Sequence, residues 1–290
     1  MRKAKLFLMS LADYAREHGL KRVGARPAFL DYIAQAWGRR DFAYTLAKFT
    51  NEAANAKNRL GRWWVVLLPT VQAVVYGLIF GVLMARDRPE NFIPFLFTGV
   101  FLFTFISGSA TQGATALTSN TGLVRSLAFP RVLLPVSAVI RQFLNTLPQI
   151  GLLLITLLVF QQGITWMWLL MIPVVLLMTI FNLGIAMIMA RIAAQVQDIN
   201  KLLPFVIRIL FYTSGIFFSM DKLLKDHPTV LVVLKFNPIY DFIELARGLL
   251  VHGYEATPFL WLTSAGWAIL AAVIGVFFFW KAEERYGRED

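Results

Sequence analysis

Residues 92–112 read FIPFLFTGVFLFTFISGSATQ, a run without one charged side chain. A helix rises about 1.5 Å per residue, so such a run is long enough to cross the roughly 30 Å hydrocarbon core of a bilayer. Working outward, five more stretches have the same character: about 63–84, 135–160, 166–190, 203–219 and 259–280. The fold expected from these is an all-α membrane protein with six transmembrane helices over 63–290. A cytoplasmic or interfacial N-terminal region covers 1–62.

The composition agrees. The chain has 290 residues, of which 58% are hydrophobic and 16% charged, with a mean hydropathy of +0.62. Soluble chains carry about 45–50% apolar and about 25% charged residues. One core cannot absorb this excess, so a soluble globular enzyme is excluded, and so is disorder. Cysteine is absent, which removes disulfides, thiolate metal sites and cysteine nucleophiles. His18, His227 and His252 lie far apart and form no ligand-spaced set, so no metal site is expected.

The net charge of +11 suggests nucleic acid until the cations are located. Of 28 Lys and Arg, 13 precede residue 63. Counted by segment, twenty face the side of both termini and six the other. By the positive-inside rule both termini are expected in the cytoplasm. Trp63, Trp64, Trp166, Trp168, Trp261 and Trp280 fall near span ends, as in an interfacial belt. Arg141 and Arg208 lie inside spans, close to their cytoplasmic ends. Each reads either as a snorkelling anchor or as a polar lining of a pathway.

Residues 1–22 are charged throughout and do not read as a signal peptide. Residues 1–20 suggest a basic amphipathic helix with Phe7, Leu11 and Tyr14 on one side. A second runs over about 28–49, with Phe29, Ile33, Trp37, Tyr44 and Phe49 facing the membrane. Its Arg39, Arg40 and Lys48 would meet anionic headgroups. Such helices tether the chain, or they shape a cytoplasmic entrance.

The 113–134 loop holds a short helical pattern with Leu123, Val124 and Leu127 on one face. Ser119 or Asn120 is the expected cap, and Pro130 ends the pattern. It is either an ordinary connection or a helix that docks in a partner's groove. Segment 220–258 is too interrupted to span. Asn237 is a cap type, Pro238 suits the first helical position, and Ile239, Phe242, Ile243, Ala246, Leu249 and Leu250 recur at helical spacing. Asp241 and Glu244 early and Arg247 late match the helix dipole. The expectation is a pair of short helices dipping into the outer leaflet, as a gate or a cap.

Phe95, Phe97, Phe101, Phe103 and Phe105 crowd the second span. They are helix-packing core or, if they line a lumen, faces on which sugar rings stack. The chain has no Gly-x-x-x-x-Gly-Lys-Ser/Thr loop and no His-Glu-x-x-His. No carboxylate sits in any of the six stretches, which argues against a self-powered secondary transporter. Asp87, Glu90, Asp221, Asp226, Asp241 and Glu244 lie outside and are either solvated loop charges or a surface active site.

Several stretches resemble one family. They are Leu60-Gly61-Arg62-Trp63-Trp64 with Leu68-Pro69 and Phe80-Gly81, and Phe95-Leu96-Phe97-Thr98-Gly99. Next come Asn120 to Leu123, Phe129-Pro130-Arg131 and Leu134-Pro135. Then follow Arg191, Asp198, Ile199-Asn200 with Leu203-Pro204, Phe211 to Ile216, and Phe236-Asn237-Pro238. In this order, over about 30–285, they resemble permeases of polysaccharide-type ABC exporters.

That resemblance implies a homodimer in the bacterial cytoplasmic membrane, with two copies of a separate ATPase. The ATPase would bind ATP and Mg, and this chain would hold no cofactor and bind no nucleic acid. The cargo implied is a lipid-linked polysaccharide, such as O-antigen, teichoic acid or galactan, threaded between the two permeases. Asn120, Leu123, Val124, Arg125, Phe129 and Arg131 would couple to the ATPase. Phe101, Phe105, Tyr212, Phe217, Phe218, Phe236, Asn237 and Phe242 would line the channel or gate. Trp37, Arg39 and Arg40 would belong to the interface helix.

Departures are the longer, more polar 51–59 stretch and residues 1–27, which lie outside the resemblance. No carbohydrate-binding domain is seen after Asp290, so recognition of a polymer end is expected elsewhere. The competing readings are a drug or haem exporter of the same fold and a membrane-embedded lipid-modifying enzyme or scaffold.

Overall fold

The computed structural model describes residues 27–56, 59–83, 89–126, 129–225, 227–284 and 286. The amphipathic helix expected over 1–20 lies outside the described residues, as do Asp87, Asp226, Leu127 and the side chains of Arg125 and Asp221. Among the described residues all regular structure is helical.

The interfacial stretch is two helices, α1 (Phe29–Gly38) and α2 (Arg40–Ala56), broken at Arg39. A 3-10 turn, Gly61–Trp63, leads into α3 (Trp64–Leu83). Then follow α4 (Phe92–Thr115), a 3-10 turn Thr118–Asn120, the short α5 (Thr121–Ser126) and α6 (Leu133–Val159). A 3-10 turn Trp166–Leu170 opens α7 (Met171–Gln195), followed by α8 (Ile199–Thr213). The short α9 (Met220–Leu223) and α10 (Pro228–Lys235), then α11 (Pro238–Leu250) and α12 (Pro258–Lys281), complete the chain.

Among the described residues five helices are long and apolar enough to cross a membrane: α3, α4, α6, α7 with its lead-in turn, and α12. The sixth expected span, 203–219, is different. Here α8 has 15 residues, about 22 Å at 1.5 Å each, shorter than the hydrocarbon core. Beyond it Ser214, Gly215, Ile216 and Phe217 form a buried non-helical run. Gly215 turns there at a φ of 65°, which a side chain would resist. Irregular backbone at this depth must be covered by protein, and here it is.

The ends of the bundle are identified by contacts. At one, Asn91 donates to the His252 carbonyl and the His252 N–H donates to Gln162. At the other, Arg131 meets Glu283, and Arg191 donates to the Phe278 carbonyl. The chain therefore travels once more between the ends over 199–257, by a path only partly helical.

The helix α4 is the centre. Its most apolar window is 78% buried, against 11% for α3. Close backbone approach fixes α7 on α12: a Cβ at Gly184 would lie 2.2 Å from the Ala271 backbone, and one at Gly275 2.5 Å from the Gly184 carbonyl. Small residues allow this packing where hydrophobicity gives no drive. Pro69, within α3, cannot donate to the Val65 carbonyl. Gln149 of α6 supplies that hydrogen bond instead, at 2.9 Å.

Candidate functional site

The segment joining α4 to α6 is built into a junction of three distant parts of the chain. Ser119 and Asn120 do not cap α5 as expected. Their side chains donate back to the Thr115 and Ala116 carbonyls, satisfying the open end of α4. Val124 is buried beside Ala116, Leu117 and Tyr32. Leu123 is half-buried and Phe129 packs on Phe42 of α2, ring centroids 5.1 Å apart. Thr121, Gly122 and Ser126 carry the exposed face.

Arg131 ends the segment. Its backbone N–H donates to Glu283 Oε1 at 3.0 Å and its Nη1 to the Glu283 carbonyl at 2.6 Å. The Tyr32 hydroxyl donates to Glu283 Oε2 at 2.7 Å and accepts from the Val132 N–H at 3.2 Å. One buried carboxylate thus ties α1, the connecting segment and the C-terminal turn together. Burial raises the Glu283 carboxyl above the usual carboxylate range, against the pull of Arg131 and Tyr32. Burial and the Glu283 charge raise the Tyr32 phenol. Phe29 is not membrane-facing as expected: it stacks on Phe277 of α12 at 4.5 Å, while Trp280 donates to the Pro27 carbonyl. Ile33, Trp37, Tyr44 and Phe49 are exposed, as are Arg39 and Arg40, and Arg40 lies over the Trp37 ring.

At the opposite end Arg247 of α11 is wholly buried. Its Nη1 donates to the Gly215 carbonyl at 2.9 Å and to Glu244 at 2.7 Å. Its Nη2 donates to the carbonyls of Phe95 and Ile216, both at 3.2 Å. The guanidinium lies over the Phe95 ring. A Cβ on Gly99 would lie 2.9 Å from that Nη2, so α4 needs a glycine there. Asn237 caps α11 as expected, accepting from the Ile239 N–H, and donates to Ser214 at 2.8 Å. Of the acids in these loops, Glu244 is committed to Arg247 and Asp241 to the side chains of Thr263 and Trp267.

The expected channel residues divide. Phe101, Phe105, Phe217 and Phe242 are fully buried within the chain. Phe217 stacks on Phe80 at 4.3 Å and meets Tyr76 and Phe211 edge-on, sealing α3 to the break after α8. Phe242 packs on Phe181. Phe218 is half-buried against this core. Tyr212 and Phe236 are exposed, Phe236 with its ring against Trp267. Among the described residues no metal-ligating cluster occurs.

Tyr32, Glu283 and the full burial of Arg247 escaped sequence reasoning. For Arg247 the one sequence signal is a charge inside the apolar stretch 245–250.

A family profile described as "ABC-2 type transporter" matches residues 44–251. An "O-antigen export system permease protein RfbA" of Klebsiella pneumoniae is 27% identical, over 78% of this chain and 86% of its own. Its namesake in Myxococcus xanthus is 26% identical, over 75% and 84%. A "Polysialic acid transport protein KpsM" of Escherichia coli is 27% identical, over 68% and 76%.

Proposed function

The chain belongs to the ABC-2 type transporter family, and on that premise we propose that it is the permease subunit of an ATP-driven exporter of polysaccharide in the bacterial inner membrane. It is a transport component rather than an enzyme. The cargo is a lipid-linked cell-envelope polymer, in line with the relatives named for O-antigen and polysialic acid. Two copies pair, and two ATPase subunits bind ATP and Mg beneath them. The termini and the 118–131 segment face the cytoplasm, where the cations concentrate.

One observation carries the coupling role. Arg131, at the end of the 118–131 segment, is held to α1 and the C-terminal turn through Glu283, while Thr121, Gly122 and Ser126 stay exposed. A push on that face is passed to α4, α6 and α12 together. Pairing is supported by α3, whose apolar surface has little protein against it, and by exposed Leu202, Phe205 and Ile209 on α8.

The test is a mild-detergent pull-down of the tagged chain with ATP turnover assayed. A stoichiometric ATPase with vanadate-sensitive turnover is expected, and Leu123→Asp is expected to uncouple transport in a folded permease. A chain that works alone without nucleotide would overturn this reading.

A further inference from the structure

Arg141 sits eight residues into α6, about 12 Å from its start. It is not arranged as a free snorkelling anchor. Its Nε donates to Gln112 Oε1 of α4 at 2.7 Å. Gln112 is itself held, since its Nε2 donates to Gln142 Oε1 at 2.6 Å, and Gln142 Nε2 donates to the Thr104 carbonyl at 3.3 Å. Gly108 makes room for this relay: a Cβ there would lie 2.6 Å from the Gln142 amide. The relay fixes the amide orientations and the plane of the guanidinium.

The two Nη groups have no protein acceptor among the described residues, and no carboxylate pairs with Arg141. Arg141 instead forms part of the wall of a cavity of about 50 Å³ between α2, α4 and α6. Thr50, Thr115, Ser119, Ser137 and Asn120 also line it, and no Asp or Glu does. The side chains of Thr115, Ser119, Asn120 and Ser137 donate to backbone carbonyls, so the guanidinium is the donor that an anion in this cavity would meet. A half-buried cation without a counter-ion is costly at low dielectric, and an oxyanion relieves that cost. The guanidinium fork matches phosphate oxygens two at a time.

We propose that Arg141 and this cavity bind the phosphate group of a membrane lipid. The assignment of that lipid as the carrier of the cargo rests on the exporter reading above. The shared chemistry, a phosphate ester at headgroup depth, fits either the carrier or a bulk anionic phospholipid.

The full chain in phosphatidylcholine nanodiscs is titrated with a polyprenyl pyrophosphate, and bound lipid is counted by native mass spectrometry. Arg141→Gln is expected to weaken binding by about tenfold or more, and Arg141→Lys by less, since a point charge keeps attraction but loses the fork. Gln112→Glu keeps Arg141 but gives it an internal carboxylate, and is expected to lose binding as Arg141→Gln does. Melting temperatures confirm that each variant is folded. Equal binding by wild type, Arg141→Gln and Gln112→Glu would overturn the site.

Titration with phosphatidylglycerol separates the sources. Competition in proportion to its concentration assigns the site to bulk headgroups, and indifference to it assigns the site to the carrier. Arg141-dependent binding without a copurifying ATPase would keep the site and remove the exporter reading. A copurifying ATPase with Arg141-independent binding would remove the site alone.

Discussion

The Tyr32 hydroxyl donates to Glu283 at 2.7 Å across 251 positions of sequence. That bond joins the first described helix to the last turn, with Arg131 and Val132 closing the junction. Removing the hydroxyl leaves a buried carboxylate oxygen and the Val132 N–H short of a partner. Tyr32→Phe is expected to cost about 1–3 kcal/mol, the usual range for orphaned buried groups. A thermal melt of the detergent-solubilised protein checks this. If the junction transmits the ATPase stroke, polymer exported per ATP falls in the same variant, while ATP turnover persists.

The Glu283 carboxyl is raised by burial, so the folded state binds its proton more tightly than the unfolded chain does. Between the ordinary carboxylate pKa and the raised folded value, unfolding releases a proton. The contribution of this group is therefore fully present below the ordinary value and is lost as pH rises through the folded value. Glu283→Gln mimics the protonated form. The melting temperature of wild type relative to Glu283→Gln is expected to rise as pH is lowered toward the ordinary carboxylate range. A difference independent of pH would show that Glu283 does not titrate across the transition.

Gln149 replaces the N–H that Pro69 lacks, donating to the Val65 carbonyl. The benefit depends on the proline. Gln149→Leu is expected to cost about 1 kcal/mol alone, the scale of side-chain hydrogen bonds between membrane helices. In a Pro69→Ala background, where the α3 backbone makes its own bond, the cost is expected to shrink toward zero. A double-mutant cycle on melting or unfolding measures the difference.

Arg247 bridges α4, α11 and the break after α8 through three carbonyls and one carboxylate. Lysine has the charge but not the planar fork. Arg247→Lys is expected to lower stability by about 3–5 kcal/mol, the scale for breaking a buried pair. Fluorescence-detected size exclusion after heating reads this directly. Arg247→Lys with wild-type stability would mean that the guanidinium geometry is dispensable.

Much was legible in the sequence because its causes are local. Hydrocarbon thickness sets a length, so 92–112, 63–84, 135–160, 166–190 and 259–280 all emerge as long helices within a few residues. Asn237-Pro238 announces the start of α11 because a cap and a proline act on the next turn. Tertiary structure decided what depends on partners. The 203–219 stretch is apolar enough to read as a span, yet Arg247, from 32 positions beyond Gly215, holds the backbone in a break that only surrounding protein can satisfy. What a phenylalanine of 92–112 meets depends on which helix lies opposite, and Phe101 and Phe105 are buried among apolar side chains of this chain. Ser119 and Asn120 turn back to α4, whose last carbonyls lack partners within the helix. Arg131, Tyr32 and Glu283 come together only when α12 returns the chain to the end from which it began. Period and hydropathy report how one segment meets its solvent, and they hold no information on which buried charge will meet which.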